Sequence, residues 1–268
     1  KIEVADYINQ LEDCCNKNSV EIIKSSEVKK ILTQNNSVTG IQLNNGENLE
    51  SSCVVSNADP KTTYLNLLGA EILDTDFIRR TKNFRNKGNV AKLELVLENE
   101  IAINNIDKNM YGKFIYAPNI KYIEHAFNKN KYNHFSENPC LEFYVNQNTL
   151  SANVYYVPYL INSSHQENEI IKRCISVLNK FIPDMKIAKE KLITPNQMEE
   201  KYNINGGHWH HGDLEIDQLL MMRPFYGSAQ YSTPINGLYL CSAGTHPGGG
   251  LTGINGLNAA KKVIEDMK

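Results

Sequence analysis

The chain has 268 residues, with 28 Lys+Arg against 30 Asp+Glu, 41% hydrophobic and 22% charged residues, which fits one large globular domain or two small ones and excludes disorder and collagen-like repeats. A net charge of -2 without any block of like charges gives no footprint for a phosphate backbone, so nucleic acid is not an expected partner. Apolar stretches such as residues 154–161 fall short of the roughly 20 residues that a membrane span needs.

Cys14, Cys15, Cys53, Cys140, Cys174 and Cys241 are scattered without CxxC spacing. They read as buried thiols of a reducing compartment, so a cytoplasmic location is expected and disulfides are not. Residue 1 is Lys, and no charged segment followed by an apolar one marks a signal peptide. The expectation is that something upstream has been removed or left out.

In chain order, Ala5, Ile8, Leu11 and Cys15 form the stripe of an amphipathic helix over 4–16, which should pack on a sheet. Strand-like runs follow at 20–23, 28–33 and 38–43, with turn signals at Asn35-Asn36-Ser37 and Asn44-Asn45-Gly46, and together predict a β-meander. Residues 53–56 predict a buried strand closed by Asn57-Ala58-Asp59-Pro60, with a helix from Pro60. Asp59 fits an N-cap better than a ligand contact. Strands are predicted at 90–97, 139–145 and 151–158 and a helix at 166–181, giving a mixed sheet with covering helices. Residues 101–131 show no clean period. Phe143, Tyr144, Tyr155, Tyr156, Tyr159, Met221 and Met222 suit either the lining of an apolar pocket or ordinary core packing.

The C-terminal segment carries the strongest pattern: an apolar strand at 238–243, a glycine-dense loop at 244–253 and a helical period from 254 to 267. Glycines let backbone amides approach an electron-rich oxygen, and aligned peptide dipoles make the helix start positive. Gly248, Gly250 and Gly253 spell G-x-G-x-x-G. A dinucleotide-binding unit also needs a second parallel strand and an acidic residue about 20 positions on, which the sequence given does not supply. The loop therefore offers a helix end to a cofactor held mainly by something else.

A second cluster runs from Gly206 to Asp213 and holds His208, His210, His211 and the single Trp209. Zinc would need three or four converging ligands. On a strand His208 and His210 face one way and His211 the other, and no H-E-x-x-H or paired CxxC accompanies them, so no metal is expected. A hydrogen-bonded turn and simple packing of Trp209 are the alternatives. Neither G-x-S-x-G nor a cysteine-protease signature is present.

The stretch Gly237 to Gly250, with Asn258-Ala259-Ala260 after it, resembles the C-terminal flavin motif of phytoene desaturase-related FAD oxidoreductases. Residues 54–60, 207–214, Asp217-Gln218 and Met222-Arg223-Pro224 support the match, which is good over 1–70 and 190–268 and loose between them. The resemblance implies an α/β (α+β) fold: an incomplete FAD-binding domain with a β-meander, from 1–60 and 236–268, and an inserted substrate domain at 61–235, built on a mixed or antiparallel sheet with covering helices. It implies FAD as cofactor. Val28 matches the position whose backbone meets the adenine, Gly244 and Thr245 the turn near the ribityl chain and pyrophosphate, and Gly250, Leu251, Thr252 and Gly253 the loop and helix start beneath the flavin C2 carbonyl. No catalytic residue is assigned. The activity implied is hydride transfer from an apolar small molecule to flavin N5, with contact to a membrane surface as a further partner. A non-catalytic scaffold that has lost the cofactor is the alternative.

The family opens with a βαβ unit whose glycines hold the FAD pyrophosphate, and nothing in these residues matches it. The expectations that follow are that the chain is a C-terminal fragment, that alone it binds FAD weakly and is inactive, and that an uncovered sheet edge drives self-association.

Overall fold

The computed structural model describes residues 4–268, so the first three residues of the 1–60 segment lie outside the described residues. Helix α1 (Val4–Lys17) forms where its period predicts, but none of its residues is buried. Val4, Ile8 and Leu11 stay exposed, and its tie to the C-terminal loop is a hydrogen bond from the Tyr7 hydroxyl to the Leu251 carbonyl at 3.2 Å. The expectation that this helix packs on a sheet is corrected.

Strands β1 (Val28–Gln34), β2 (Ser37–Leu43) and β3 (Asn48–Glu50) make an antiparallel meander. Asn35 and Asn36 close its first hairpin with φ of +50° and +60°, a backbone that asparagine tolerates better than most residues. The expected strand at 20–23 is not one. Val20, Ile22 and Ile23 are exposed and have no ladder partner, and the third strand comes after the Asn44-Asn45-Gly46 turn instead.

Strand β4 (Val54–Ser56) follows, and Asp59 caps the next helical turn by accepting from the Thr62 N–H at 3.0 Å. That turn continues as a π-helical stretch, Thr62–Gly69, and ends where Gly69 takes φ of +97°. Helix α2 (Thr75–Asn83), capped by Asp74, leads to β5 (Val90–Leu97). The segment without a clean period contains β6 (Lys113–Tyr116) and α3 (Ile120–Lys131), whose one buried residue is Ala126. A helix this exposed carries no strong apolar stripe.

Then come β7 (Cys140–Asn146), β8 (Thr149–Tyr155), α4 (Ser164–Leu178), β9 (Ile187–Ile193), α5 (Pro195–Tyr202), β10 (Leu238–Leu240) and α6 (Ile254–Asp266). Five strands in the order β6-β7-β8-β5-β9 form one sheet, antiparallel throughout. Its alternating face, with Leu93, Leu95, Leu141, Leu150 and Val154, packs on Ile170, Cys174 and Leu178 of α4. A second core joins Ile31 and Val38 of the meander to Leu238 and Leu240 of β10, and takes in Tyr64 and Leu68 of the π-helical stretch. Strand β10 runs parallel to β4, with Leu238 opposite Val54 and Leu240 opposite Ser56. The architecture is thus mixed α/β, with parallel and antiparallel sheets. No helix among the described residues is long and apolar enough to cross a membrane.

Candidate functional site

The glycine loop between β10 and α6 is pinned from inside by one side chain. The Asn255 amide donates to the Ser242 carbonyl at 3.0 Å, the Thr245 carbonyl at 3.1 Å and the Thr245 hydroxyl at 3.0 Å. Thr245 is itself buried and donates its hydroxyl to the Ser242 carbonyl at 2.8 Å, so its side chain serves the loop. A Cβ on Gly244 would lie 2.4 Å from Pro60 Cδ, and this contact sets the 57–60 turn against the loop.

Gly250, Leu251, Thr252 and Gly253 are exposed, and the space that a Cβ would occupy at Gly250 and Gly253 is open. Gly253 enters α6 at φ of +66° with no side-chain cap, leaving the first turn of a 13-residue helix with its positive end toward the open side. The structure therefore gathers Gly244, Thr245 and Gly250–Gly253 into one loop and helix start. Val28 lies apart, in the wall of a polar cavity of about 590 Å³ with Asn57, Asp59 and His211, and is linked to the loop through the 57–60 turn.

The histidine cluster forms a turn and not a strand. Gly206 and Gly207 take φ of +72° and +64°, and a Cβ on Gly207 would meet the Pro195 carbonyl oxygen at 1.9 Å. His208, Trp209 and His210 line a cavity of about 310 Å³ with Asn89, Val90, Tyr155 and Leu214, whereas His211 faces the 590 Å³ cavity. Among the described residues, no three His, Cys, Asp or Glu side chains converge as a metal site. A Cβ on Gly249 would come within 2.6 Å of His210 Nδ1, so the glycine loop and the histidine cavity are in direct contact.

All three imidazoles are held below their ordinary range. His208 is pushed down to about 4 by burial, with His210 and Arg223 adding to it. Burial, then Arg223, lowers His210, and burial lowers His211 with Arg223 and His210 adding to it against the opposing pull of Asp59. The His208 ring is held at one nitrogen: Nδ1 accepts the His210 backbone N–H at 3.3 Å, while Nε2 lies 3.6 Å from Asp213 Oδ1, beyond hydrogen-bond reach. In the unfolded chain the same histidine titrates near 6.5. Between these two values the unfolded state binds a proton that the folded state refuses, so folding stability falls as pH drops from about 6.5 to about 4. This group alone is worth on the order of 3 kcal/mol over that window. His208→Gln is expected to flatten the slope, read from urea unfolding at pH 7 and pH 4.5; an unchanged slope would contradict the assignment.

The sequence match gives Arg223 no role, and the structure makes it the centre of the site. Its side chain is fully buried. Nε and Nη2 donate to the Ala243 carbonyl at 3.0 and 2.9 Å, Nη1 to Asp213 and Gln218 at 2.9 and 3.2 Å, and Nη2 also to His210 and Gly212 at 2.6 and 3.2 Å. The strand before the glycine loop, the histidine turn and the 213–218 segment thus converge on one guanidinium. Burial lowers its pKa to about 10, so it keeps its charge at neutral pH. The signal available for it in the sequence is an arginine between Met222 and Pro224 in an apolar stretch.

Among known proteins, no protein-family model matches the chain. It is similar to pyridine nucleotide-disulfide oxidoreductase domain-containing protein 2 of Mus musculus, 26% identical over 256 residues covering 85% of this chain, and to that of Rattus norvegicus, 26% identical over 258 residues. The chain spans 44% of the length of each. Over 99 residues, 35% of the chain, it is 36% identical to a limonene dehydrogenase subunit of Castellaniella defragrans. In fold it is similar to an oxidoreductase from Methanosarcina mazei, with a TM-score of 0.52 and 14% identity over 96% of this chain and 53% of that one. It is likewise similar to a geranylgeranyl bacteriochlorophyll reductase-like protein from Thermoplasma acidophilum, with a TM-score of 0.53 and 10% identity over 97% of this chain and 53% of that one.

Proposed function

We propose that the chain is part of an FAD-dependent oxidoreductase of the phytoene desaturase-related kind, which removes a hydride from a largely apolar small molecule. The observation that carries this reading is the contact between the glycine loop and the 310 Å³ cavity at Gly249 and His210, which puts an open helix start beside a half-open, partly apolar pocket. Oxidoreductase names among the relatives support it. The residues fit the flavin end of the cofactor, because open space at Gly250 and Gly253 leaves the backbone free to approach a flat ring.

A bound flavin supplies the two-electron acceptor, with negative charge gathering over N1 and the C2 oxygen. Leu251, Thr252 and Gly253 would hold that edge, and the α6 start offers its peptide dipoles to the charge. Trp209, Val90 and Leu214 give the adjoining cavity an apolar wall that would orient the substrate, and Arg223 keeps the loop and the histidine turn in register. The pyrophosphate-holding unit is proposed to lie outside these 268 residues, in keeping with the 44% of the relatives' length that the chain spans.

Gly253→Val tests the reading. A β-branched residue at φ of +66° in the helix entry blocks the approach and strains the backbone by about 1–3 kcal/mol, at an exposed position that the cores do not need. Equilibrium dialysis against FAD is expected to show weak binding by the chain and at least tenfold less by the variant, with the same circular dichroism. Equal flavin retention by both would refute the helix-start assignment.

A further inference from the structure

His210 differs from its neighbours in what its ring is free to do. His208 uses Nδ1 to accept the His210 backbone N–H, so in the neutral ring Nε2 carries the proton and cannot accept one, and His211 faces the other cavity. The His210 backbone is anchored by Arg223 Nη2, and its ring lies beside Trp209 at a centroid distance of 6.3 Å. Among the described residues that ring makes no hydrogen bond to the protein. Tyr155, a further titratable group of this wall beside His208, donates its hydroxyl to Glu142 Oε2 at 3.2 Å. Asn89 adds an amide, which can orient a ligand but not take a proton. The cavity is therefore a half-open, mostly apolar pocket in whose wall the His210 ring is free to accept a hydrogen bond.

We propose that this cavity takes a compact, largely apolar molecule carrying one hydroxyl or amine, and that His210 accepts the proton of that group. The inference rests on the oxidoreductase reading and narrows its substrate to an alcohol or amine whose carbinol or α-carbon bears hydrogen. For an alcohol, the C–H bond breaks with its electron pair leaving as hydride to the flavin, the O–H bond breaks with its proton passing to a His210 ring nitrogen, and the O–H pair becomes the second C–O bond. The substrate loses two electrons and the flavin gains them; the proton leaves the imidazole to solvent. Burial and the Arg223 cation keep His210 neutral at pH 7, which leaves a lone pair for the proton. The charged and titratable groups around it are His208 beside it, Arg223 under its backbone, Asp213 behind His208 and Tyr155 in the same wall.

Trp209, the single tryptophan, reports the test. The full chain is titrated with 1-indanol and with indane, which share a carbon frame and differ by one hydroxyl, and quenching of Trp209 emission is followed. Relative to wild type, His210→Leu is expected to lower the preference for 1-indanol over indane about fivefold, the worth of one hydrogen bond. His210→Gln, which keeps an acceptor, should retain most of it. The acceptor is read with 4-nitrophenol: a hydrogen bond from its hydroxyl to the His210 ring is expected to shift the absorption band of the bound phenol to the red in wild type, and the shift should be lost in His210→Leu and kept in part by His210→Gln. An unchanged preference in His210→Leu, an unshifted band of bound nitrophenol in wild type, or no saturable quenching by any probe would each overturn the proposal. None of these measurements needs flavin, so failure here leaves the Gly253→Val result standing, and failure there leaves these standing.

Discussion

Arg223→Met is expected to lower the free energy of unfolding by about 3–5 kcal/mol, the range seen when one partner of a buried charged network is removed. Methionine fills much of the volume but leaves the carbonyls of Ala243, Asp213, Gln218, His210 and Gly212 without their donor. Each buried carbonyl left unpaired costs about 1 kcal/mol or more. One effect opposes this: methionine spares the desolvation of a buried cation, which lowers the Arg223 pKa in the folded protein. The carbonyls outweigh it because five acceptors stay fixed by three segments of chain that have no other reason to converge. Arg223→Lys should also destabilise, since three donors on a compact ammonium cannot span five acceptors that a planar fork reaches. Urea unfolding of both variants checks this. A loss under about 1 kcal/mol for Arg223→Met would mean that water or rearranged amides satisfy the carbonyls.

What was legible in the sequence was whatever depends on neighbours along the chain. The Asn35-Asn36 hairpin, the Asp59 cap and the strand, glycine loop and helix at the C-terminus are local patterns, and each appears where its residues point. The run at 20–23 misled because three apolar residues suit a strand and an exposed segment equally well, and only pairing separates them. Strand β9 escaped notice for the opposite reason: at the edge of its sheet, Ala188, Lys189, Glu190 and Lys191 are all exposed, so its sequence reads as polar loop. In the site, the split of the histidines between two cavities followed from their alternation, though a turn produces it and not a strand. The Arg223 fan and the contact of Gly249 with His210 join residues far apart in the chain, and no local period records them.

That last contact yields the second large effect. Gly249→Ala is expected to weaken 1-indanol binding in the histidine cavity at least tenfold while lowering stability by only about 1–3 kcal/mol, the usual cost of one overpacked group. The added Cβ would sit 2.6 Å from His210 Nδ1 and 3.3 Å from the Ala243 Cβ. Gly249 is exposed and is not among the glycines with positive φ, so alanine suffers no backbone strain there and the effect is steric. Neither neighbour yields by moving its main chain. Arg223 Nη2 holds the His210 carbonyl at 2.6 Å, and Nε and Nη2 hold that of Ala243. The imidazole must therefore turn about its own side-chain bonds, away from the loop and into a cavity of about 310 Å³ that it already borders. A double-mutant cycle separates this from general damage: with His210→Ala as the second substitution the clash partner is gone, and Gly249→Ala should then cost little further stability. Strict additivity of the two stability losses, or unchanged quenching of Trp209 by 1-indanol in the single variant, would show that the loop and the cavity are not mechanically joined.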